Sequence, residues 1–151
     1  MSDPLYRKEL LRLAADAHGA GRLQSTHVTG HAHNPACGDK ITVDLALANG
    51  RIVAMAQDTK ACVLAQASAS ILGRDLNNAT RAEIEALRGA VEAMLEADGA
   101  IPAPPFEAYA AFEGVIEFPS RHRCVLLPFD AVLSALAASE ASEPDSVGGE
   151  R

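Results

Sequence analysis

The chain has 151 residues, 48% of them hydrophobic and only 4% aromatic, and it carries a formal net charge of −7. This length and composition suit a single domain with an aliphatic core that needs neither disulfides nor a metal to fold. The acidic balance excludes general nucleic-acid binding. The lack of both a run of about 18 apolar residues and a hydrophobic signal segment predicts a cytoplasmic protein without a membrane span.

The first predicted element is a helix from Leu5 to about His18. Asp3 is its predicted N-cap, Pro4 takes the first helical position, and Gly19 ends the helix. The polar stretch from Leu23 to His33 follows and predicts an edge strand.

The clearest local pattern is a β-hairpin. Apolar and polar residues alternate from Lys40 to Ala48, which is the period of a strand. Asn49-Gly50 is the preferred two-residue hairpin turn, and Arg51 to Gln57 predicts the return strand.

The turn also predicts the register of this hairpin. If Ala48 faces Arg51, then a constant register sets Leu45 opposite Ala54, Val43 opposite Ala56 and Ile41 opposite Asp58, which leaves one side almost wholly apolar.

Beyond the strand ends the same register sets Cys37 opposite Cys62 and Asp39 opposite Lys60. Directly opposed residues have Cβ atoms about 5 Å apart. Because a ladder frays at its ends, this register predicts proximity of the two thiols and no exact geometry.

Helical patterns dominate the rest of the chain. An Ala- and Ser-rich segment after Cys62, residues 63–72, predicts a short helix. Thr80 and Glu83 form a capping-box pattern that opens a second helix, which is expected to stop near Gly99. After the proline-rich break at 101–105, the aromatic residues Phe106, Tyr109 and Phe112 predict a short helix or turn.

The last apolar run, residues 125–138, contains Pro128, which either starts the final helix or kinks it. Strands early and helices late, without βαβ alternation, predict an α+β fold. We expect a small antiparallel sheet of about three strands packed on one face by helices. The domain is expected to span residues 1–138, and the polar tail 139–151 is expected to be disordered.

The three cysteines are an odd number and lie far apart, which is unlike a secreted disulfide framework. Reduced thiols serve as metal ligands or nucleophiles. A single buried cysteine is more often just a small hydrophobic residue, but the hairpin register that brings Cys37 and Cys62 to one end favours a shared ion for this pair.

Three motifs in order resemble one known family. Residues Asn34 to Asp39 read Asn-Pro-Ala-Cys-Gly-Asp, residues 62–70 read Cys-Val-Leu-Ala-Gln-Ala-Ser-Ala-Ser, and residues 121–127 read Arg-His-Arg-Cys-Val-Leu-Leu. Over roughly residues 5–138 the chain is similar to the U-type (IscU/NifU/SufU) iron–sulfur cluster assembly proteins, which implies a SufE/IscU-like fold.

Within that family the chain looks closest to the SufU branch. The connection between Cys62 and Cys124 is long, as in SufU, and Arg123 stands where the IscU branch has a histidine before the last cysteine. Ala61 departs from the glycine that usually precedes the second cysteine. This departure affects the expected local backbone but not the expected ligand.

The resemblance implies a metal site built from Cys37, Asp39, Cys62 and Cys124. It also implies that the protein receives sulfur from a SufS- or IscS-like cysteine desulfurase, and that it assembles a transient [2Fe–2S] cluster from iron and passes it to apo iron–sulfur proteins. Such a protein is a scaffold or carrier more than a classical enzyme. The alternative is a zinc-dependent sulfurtransferase in which Zn²⁺ occupies the same ligands and Cys37 accepts a persulfide sulfur.

Other interpretations of these residues stay open at this point. Asp39 after Gly38 is also common turn chemistry. His27, His31 and His33 alternate along one strand face, for which solvent exposure is favoured over metal binding. His122 is a candidate substitute ligand or hydrogen-bond donor to a ligand. A cysteine hydrolase and a purely structural zinc domain rank below the two sulfur functions.

Overall fold

A computed structural model describes residues 7–25, 27–35, 38–97 and 100–142, with side chains up to residue 139. Within these ranges the chain forms four α-helices and three strands in the order α1, β1, β2, β3, α2, α3, α4. The bounds are α1 Lys8–Asp16, β1 Val28–Asn34, β2 Asp39–Ala48, β3 Arg51–Lys60, α2 Val63–Asp75, α3 Arg81–Ala97 and α4 His122–Ser142, with 3₁₀ helices at Glu107–Val115 and Pro119–Arg121 between α3 and α4.

The three strands form one antiparallel sheet in the order β1-β2-β3. Side chains that alternate along β2 divide the sheet into two faces. Ile41, Val43 and Leu45 are 2% exposed or less and point to the helices, and α4 packs over β1 and β2. The predicted α+β architecture, with helices covering one face of a three-stranded sheet, is therefore confirmed.

The β2–β3 hairpin has the predicted turn but not the predicted register. Asn49 and Gly50 have φ values of 54° and 76°, as a type I′ turn requires, and Ala48 faces Arg51. The register then shifts by one residue between Ala46 and Leu47, and Val53, which is 50% exposed, is the extra residue of a β-bulge.

This bulge overturns the pairings predicted beyond it. Leu45 faces Met55, Val43 faces Gln57, Ile41 faces Thr59, and Lys60 faces Lys40 where Asp39 was expected. The physical reason is the position of Asp58. A constant register would set this carboxylate against Ile41 under the helices, whereas the bulge sets it opposite Thr42 on the other face, where it is exposed.

The predicted helices form with shifted ends. The predicted start at Asp3 and Pro4 lies outside the described residues, and α1 begins at Lys8, later than the sequence indicated. The capping box of α3 is confirmed, since Glu83 N donates to Thr80 Oγ1 at 3.2 Å and Thr80 N donates to Glu83 Oε1 at 2.8 Å. The predicted stop at Gly99 also lies outside the described residues.

Pro128 lies inside α4, and this helix continues to Ser142, beyond the domain limit expected at residue 138. The stretch Pro119–Ser139 is long and apolar enough to cross a membrane by length and composition alone. However, 61% of its most apolar window is buried inside the fold, as in the core helix of a soluble protein.

Gly30 of β1 sets the distance between the sheet and α4. A Cβ at this position would lie 2.2 Å from Ala135 N and 2.4 Å from Ala131 O, both of them helix backbone atoms. Only a residue without a side chain allows this approach, and His31 N adds a hydrogen bond to Ser134 Oγ at 3.3 Å. The helix that carries Cys124 is thereby held directly on the edge strand.

On the face of the sheet opposite the helices, Asp44 is a buried charged residue with 0% exposure. Arg22 donates to both of its oxygens at 2.7 and 3.0 Å, Leu23 N donates at 3.1 Å and Thr29 Oγ1 at 2.7 Å. These hydrogen bonds, with that of Arg22 the largest contribution, hold the pKa of Asp44 far below its ordinary value against the opposing effect of burial. The hydrogen bonds from Arg22 and Leu23 to Asp44 thus hold residues 21–25 against this face.

Candidate metal centre

Three of the four predicted ligands meet at one end of the sheet. Asp39 begins β2, Cys62 is the N-cap residue of α2, and Cys124 lies in the first turn of α4. One carboxylate oxygen and the two Sγ atoms all lie within 4.8 Å of one another. Within the described ranges this is the group of His, Cys, Asp and Glu side chains that is placed to hold a metal ion.

The fourth predicted ligand, Cys37, lies outside the described residues. Gly38, the next residue, donates its backbone N–H to Asn34 O at 2.8 Å and has a φ of 77° that favours glycine. The roles predicted for Cys37, as ligand and as sulfur acceptor, stay predictions.

The carboxylate of Asp39 is buried, at 6% exposure, and only half satisfied. Cys62 N donates to its Oδ1 at 3.2 Å, while its Oδ2 is buried and has no hydrogen-bond partner within the part of the chain that the structure describes. A buried acceptor left without a donor costs free energy, typically about 1–3 kcal/mol. A cation bound to this oxygen and the two thiolates would remove that cost, so the donor set fits a metal ion or an iron–sulfur cluster.

The two thiols have different proton affinities. The hydrogen bond with Cys124 lowers the pKa of Cys62 to about 7, and the Ala65 backbone adds to this effect, while burial and the Asp39 carboxylate oppose it. The same interaction with Cys62, followed by burial, raises the pKa of Cys124 far above its ordinary value. In the metal-free protein Cys62 is therefore the more nucleophilic thiol near neutral pH, and Cys124 keeps the proton.

A buried hydrogen-bond chain fixes the spacing of the two cysteines. Ser68 of α2 donates its hydroxyl proton to Val125 O at 2.7 Å, and Tyr109 OH lies 2.9 Å from Ser68 Oγ. Ser68 is on the helix that begins after Cys62, and Val125 follows Cys124. The sequence shows a serine in an Ala/Ser-rich helix and a tyrosine in an aromatic segment, but no pattern links them, so this contact was missed.

The histidines considered from the sequence lie outside the cluster. His122 is 8% exposed, and its Nε2 donates towards Val115 O and Ile116 O at 3.1 and 3.2 Å, which anchors the 3₁₀ segment to the start of α4. His31 and His33 are exposed strand residues, and His27 Nε2 lies 3.5 Å from Asp44 Oδ1. Solvent exposure is thus the right interpretation for His31 and His33.

Comparison with known proteins gives a consistent result. The model of the NifU-like N terminal domain matches residues 5–125 of this chain. No curated protein matches the sequence at a significant level. The crystal structure of a nitrogen-fixing NifU-like protein (N-terminal) from Brucella abortus has a TM-score of 0.86 and 33% sequence identity, and the match covers 93% of this chain and 98% of that chain.

A more distant structure shares the fold. FiSufU from the thermophile Fervidobacterium islandicum AW-1, described as a candidate iron–sulfur cluster assembly scaffold protein for the SUF system, has a TM-score of 0.79 at 21% identity. The match covers 90% of this chain and 99% of that chain. The motifs, the fold and the matched domain agree, and the family predicted from the sequence is confirmed: the chain belongs to the NifU-like N-terminal domain family.

Proposed function

We propose that this protein is an iron–sulfur cluster assembly scaffold whose cargo is held by Cys37, Asp39, Cys62 and Cys124. The observation that carries the proposal is the Oδ2 of buried Asp39, which has no hydrogen-bond partner among the described residues, beside two thiols. The ligand atoms of Asp39, Cys62 and Cys124 all lie within 4.8 Å of one another. A carboxylate is a harder ligand than a thiolate and exchanges more readily on iron. A site with one carboxylate among thiolates therefore suits a cluster that must be handed on.

Each ligand has a distinct task in this proposal. Cys124, 1% exposed, is the inner ligand, and Cys62 is the half-buried ligand, whose thiolate forms near neutral pH. Asp39 orients the backbone at Cys62 with one oxygen and offers the other to iron. Cys37 completes the set and accepts sulfur.

Sulfur arrives by thiol exchange. The Cys37 thiolate attacks the terminal sulfur of a persulfide on a cysteine desulfurase, the sulfur–sulfur bond of that persulfide breaks, and the desulfurase thiolate leaves. The transfer is redox-neutral overall. Conversion of the new persulfide to sulfide for a cluster then requires two electrons from an external reductant. Apo iron–sulfur proteins receive the finished cluster, and the setting is the cytoplasm, where thiols stay reduced.

A zinc-dependent sulfurtransferase is the second candidate. The length of the connection between Cys62 and Cys124, which resembles the SufU branch, favours it. Four ligands of thiolate and carboxylate type suit tetrahedral Zn²⁺, which would keep the thiols deprotonated until a partner frees one of them. Both candidates use the same residues and differ in the occupant.

The test is anaerobic purification followed by metal and sulfide analysis and an absorption spectrum, for the wild type and for Cys124→Ser. A scaffold yields brown protein with iron and acid-labile sulfide that activates an apo iron–sulfur enzyme. A sulfurtransferase yields colourless protein with one equivalent of zinc that accepts radiolabelled sulfur from a desulfurase. Wild-type protein that takes up neither iron nor zinc above the Cys124→Ser level would contradict both.

A further inference from the structure

One cross-strand row on the open face of the sheet is basic. His33 of β1 faces Lys40 of β2, and Lys40 faces Lys60 of β3. Neighbouring strands lie about 4.8 Å apart, so the three side chains form a strip about 10 Å long. All three residues are exposed. We call this set, His33, Lys40 and Lys60, the basic row.

The charges of this row are not neutralised by the fold. Like charges directly opposite each other destabilise a sheet. Neither lysine forms an ion pair with any acidic side chain in the described ranges. The next row of the sheet, His31, Thr42 and Asp58, brings one carboxylate. That carboxylate also acts on Arg22, whose pKa is raised mainly by its hydrogen bond to Asp44 and to a lesser degree by Asp58. Two facing lysines without an ion-pair partner among the described residues are unexpected in a chain with a net charge of −7.

The basic row lies beside the candidate metal centre. Lys40 follows Asp39 directly, and Lys60 precedes Cys62 by two positions. Because side chains alternate along a strand, Lys40 points to the open face while Asp39 points to the helix layer. A shallow cavity of about 270 Å³ adjoins the row on its β1 side, between His31, His33, Lys40 and Thr42. Anything bound to the row therefore lies at the same end of the sheet as the metal ligands.

We propose that the basic row is a docking surface for an acidic segment of a partner protein. A flat, exposed strip of this length matches successive carboxylates on a polypeptide surface, and long lysine side chains adapt to them. One common phosphate site is a concave nest of converging backbone N–H groups. Here β2 is the central strand and pairs with both neighbours, so its N–H groups are already used. The reason for a partner to dock at this end rests on the proposed function, but binding to the row does not require a metal.

The experiment uses metal-free protein and a fluorescently labelled oligoglutamate peptide, with affinity measured by anisotropy at low and at physiological salt. The row variant is Lys40→Glu/Lys60→Glu. Its matched control, Lys8→Glu/Arg12→Glu, makes the same change in net charge on exposed residues of α1. We expect the row variant to weaken binding by about tenfold or more and the control by less than about twofold, with salt weakening the wild type.

Three results would overturn the proposal. Equal loss in both double variants would show that net charge alone binds the peptide. Binding of inorganic pyrophosphate that depends on the row, without binding of the peptide, would show a small-anion site. A change in self-association of the row variant by sedimentation would show that the face contacts a second copy of the chain. Metal loading of the same variants, measured separately, distinguishes failure of this surface from failure of the metal centre.

Discussion

Strand β2 carries two buried carboxylates, Asp44 and Asp39, that differ in how fully they are hydrogen-bonded. Asp44 is fully buried, and both of its oxygens are satisfied by donors from Arg22, Leu23 and Thr29. Asp39, at the end of the same strand, has one weakly bonded oxygen and one without a partner in the described ranges. The difference teaches that burial alone does not identify a candidate metal ligand. A buried carboxylate oxygen without a hydrogen-bond donor among the described residues is the more informative sign.

The largest expected effect is on metal retention, and it separates the proposed thiolate ligand Cys62 from the proposed carboxylate ligand Asp39. Cys62→Ser removes a thiolate and should abolish metal retention, because the ion's binding energy depends on the soft donors. Asp39→Ala leaves the thiolates in place with an open position for water. It should therefore keep the metal but weaken its affinity by about tenfold, or ~1.4 kcal/mol, and slow cluster or sulfur transfer. Metal stoichiometry after dialysis measures both. Complete loss of metal in Asp39→Ala would make Asp39 an essential ligand.

The second effect is on the stability of the fold, where we expect a substitution of Asp44 to cost more than a substitution of Asp39. Asp44→Asn removes the negative charge that accepts hydrogen bonds from Arg22, Leu23 and Thr29. We therefore expect the free energy of unfolding to fall by about 2–3 kcal/mol. Asp39→Asn in the metal-free protein should cost little or should stabilise it, because one oxygen of Asp39 has no donor to lose among the described residues. Urea unfolding of the two metal-free variants measures this comparison. Equal destabilisation would mean that Asp39 is structurally satisfied after all.

The third effect is the acid dependence of stability. The pKa of Asp44 is depressed in the folded state, so the unfolded state binds the proton more readily, and the stabilisation is present above its unfolded pKa of about 4. It should be lost progressively as the pH falls below that value. The gap in unfolding free energy between wild type and Asp44→Asn should therefore be constant near neutral pH and shrink in acid. A gap that does not change down to about pH 2 would contradict this assignment.

The smallest effect is on the Cys62 thiol. Its pKa of about 7 reflects the hydrogen bond with Cys124, opposed by burial and by the nearby Asp39 carboxylate. Asp39→Asn should lower this pKa further by a fraction of a unit, whereas Asp44→Asn should leave it unchanged. The pH dependence of iodoacetamide alkylation in metal-free protein gives the midpoint. An increase in the Cys62 pKa in Asp39→Asn would show that the carboxylate does not act on this thiol as a negative charge.

Much of the site was accessible from the sequence. The alternation of β2, the Asn49-Gly50 turn and the Ala/Ser-rich helix predicted that Cys62 lies at the strand-to-helix junction. These signals are local, since each depends on residues a few positions apart. The bulge at Val53 was missed because it depends on where Asp58 can reach solvent, which requires knowledge of the layer that covers the sheet.

The place of Cys124 depended on the family resemblance and not on any local pattern. Its position follows from the close approach of α4 to Gly30 and from the Ser68–Val125 hydrogen bond, which join residues far apart in the chain. Asp44 had no predicted role. Its partner Arg22 lies in a segment whose path over the sheet depends on the Arg22–Asp44 contact, and no local sequence pattern predicts that contact.

By itself the sequence determined the element types and the hairpin, because hydrophobic periodicity and turn chemistry are properties of neighbouring residues. Its three motifs also carried the resemblance that implied the family and the four ligand candidates. Tertiary structure alone decided which carboxylate of β2 is satisfied and which is not. It also decided that Cys62 and Cys124 lie beside each other, and that His33, Lys40 and Lys60 form one row. Burial and hydrogen bonding depend on what packs against a side chain, and only the folded chain determines that.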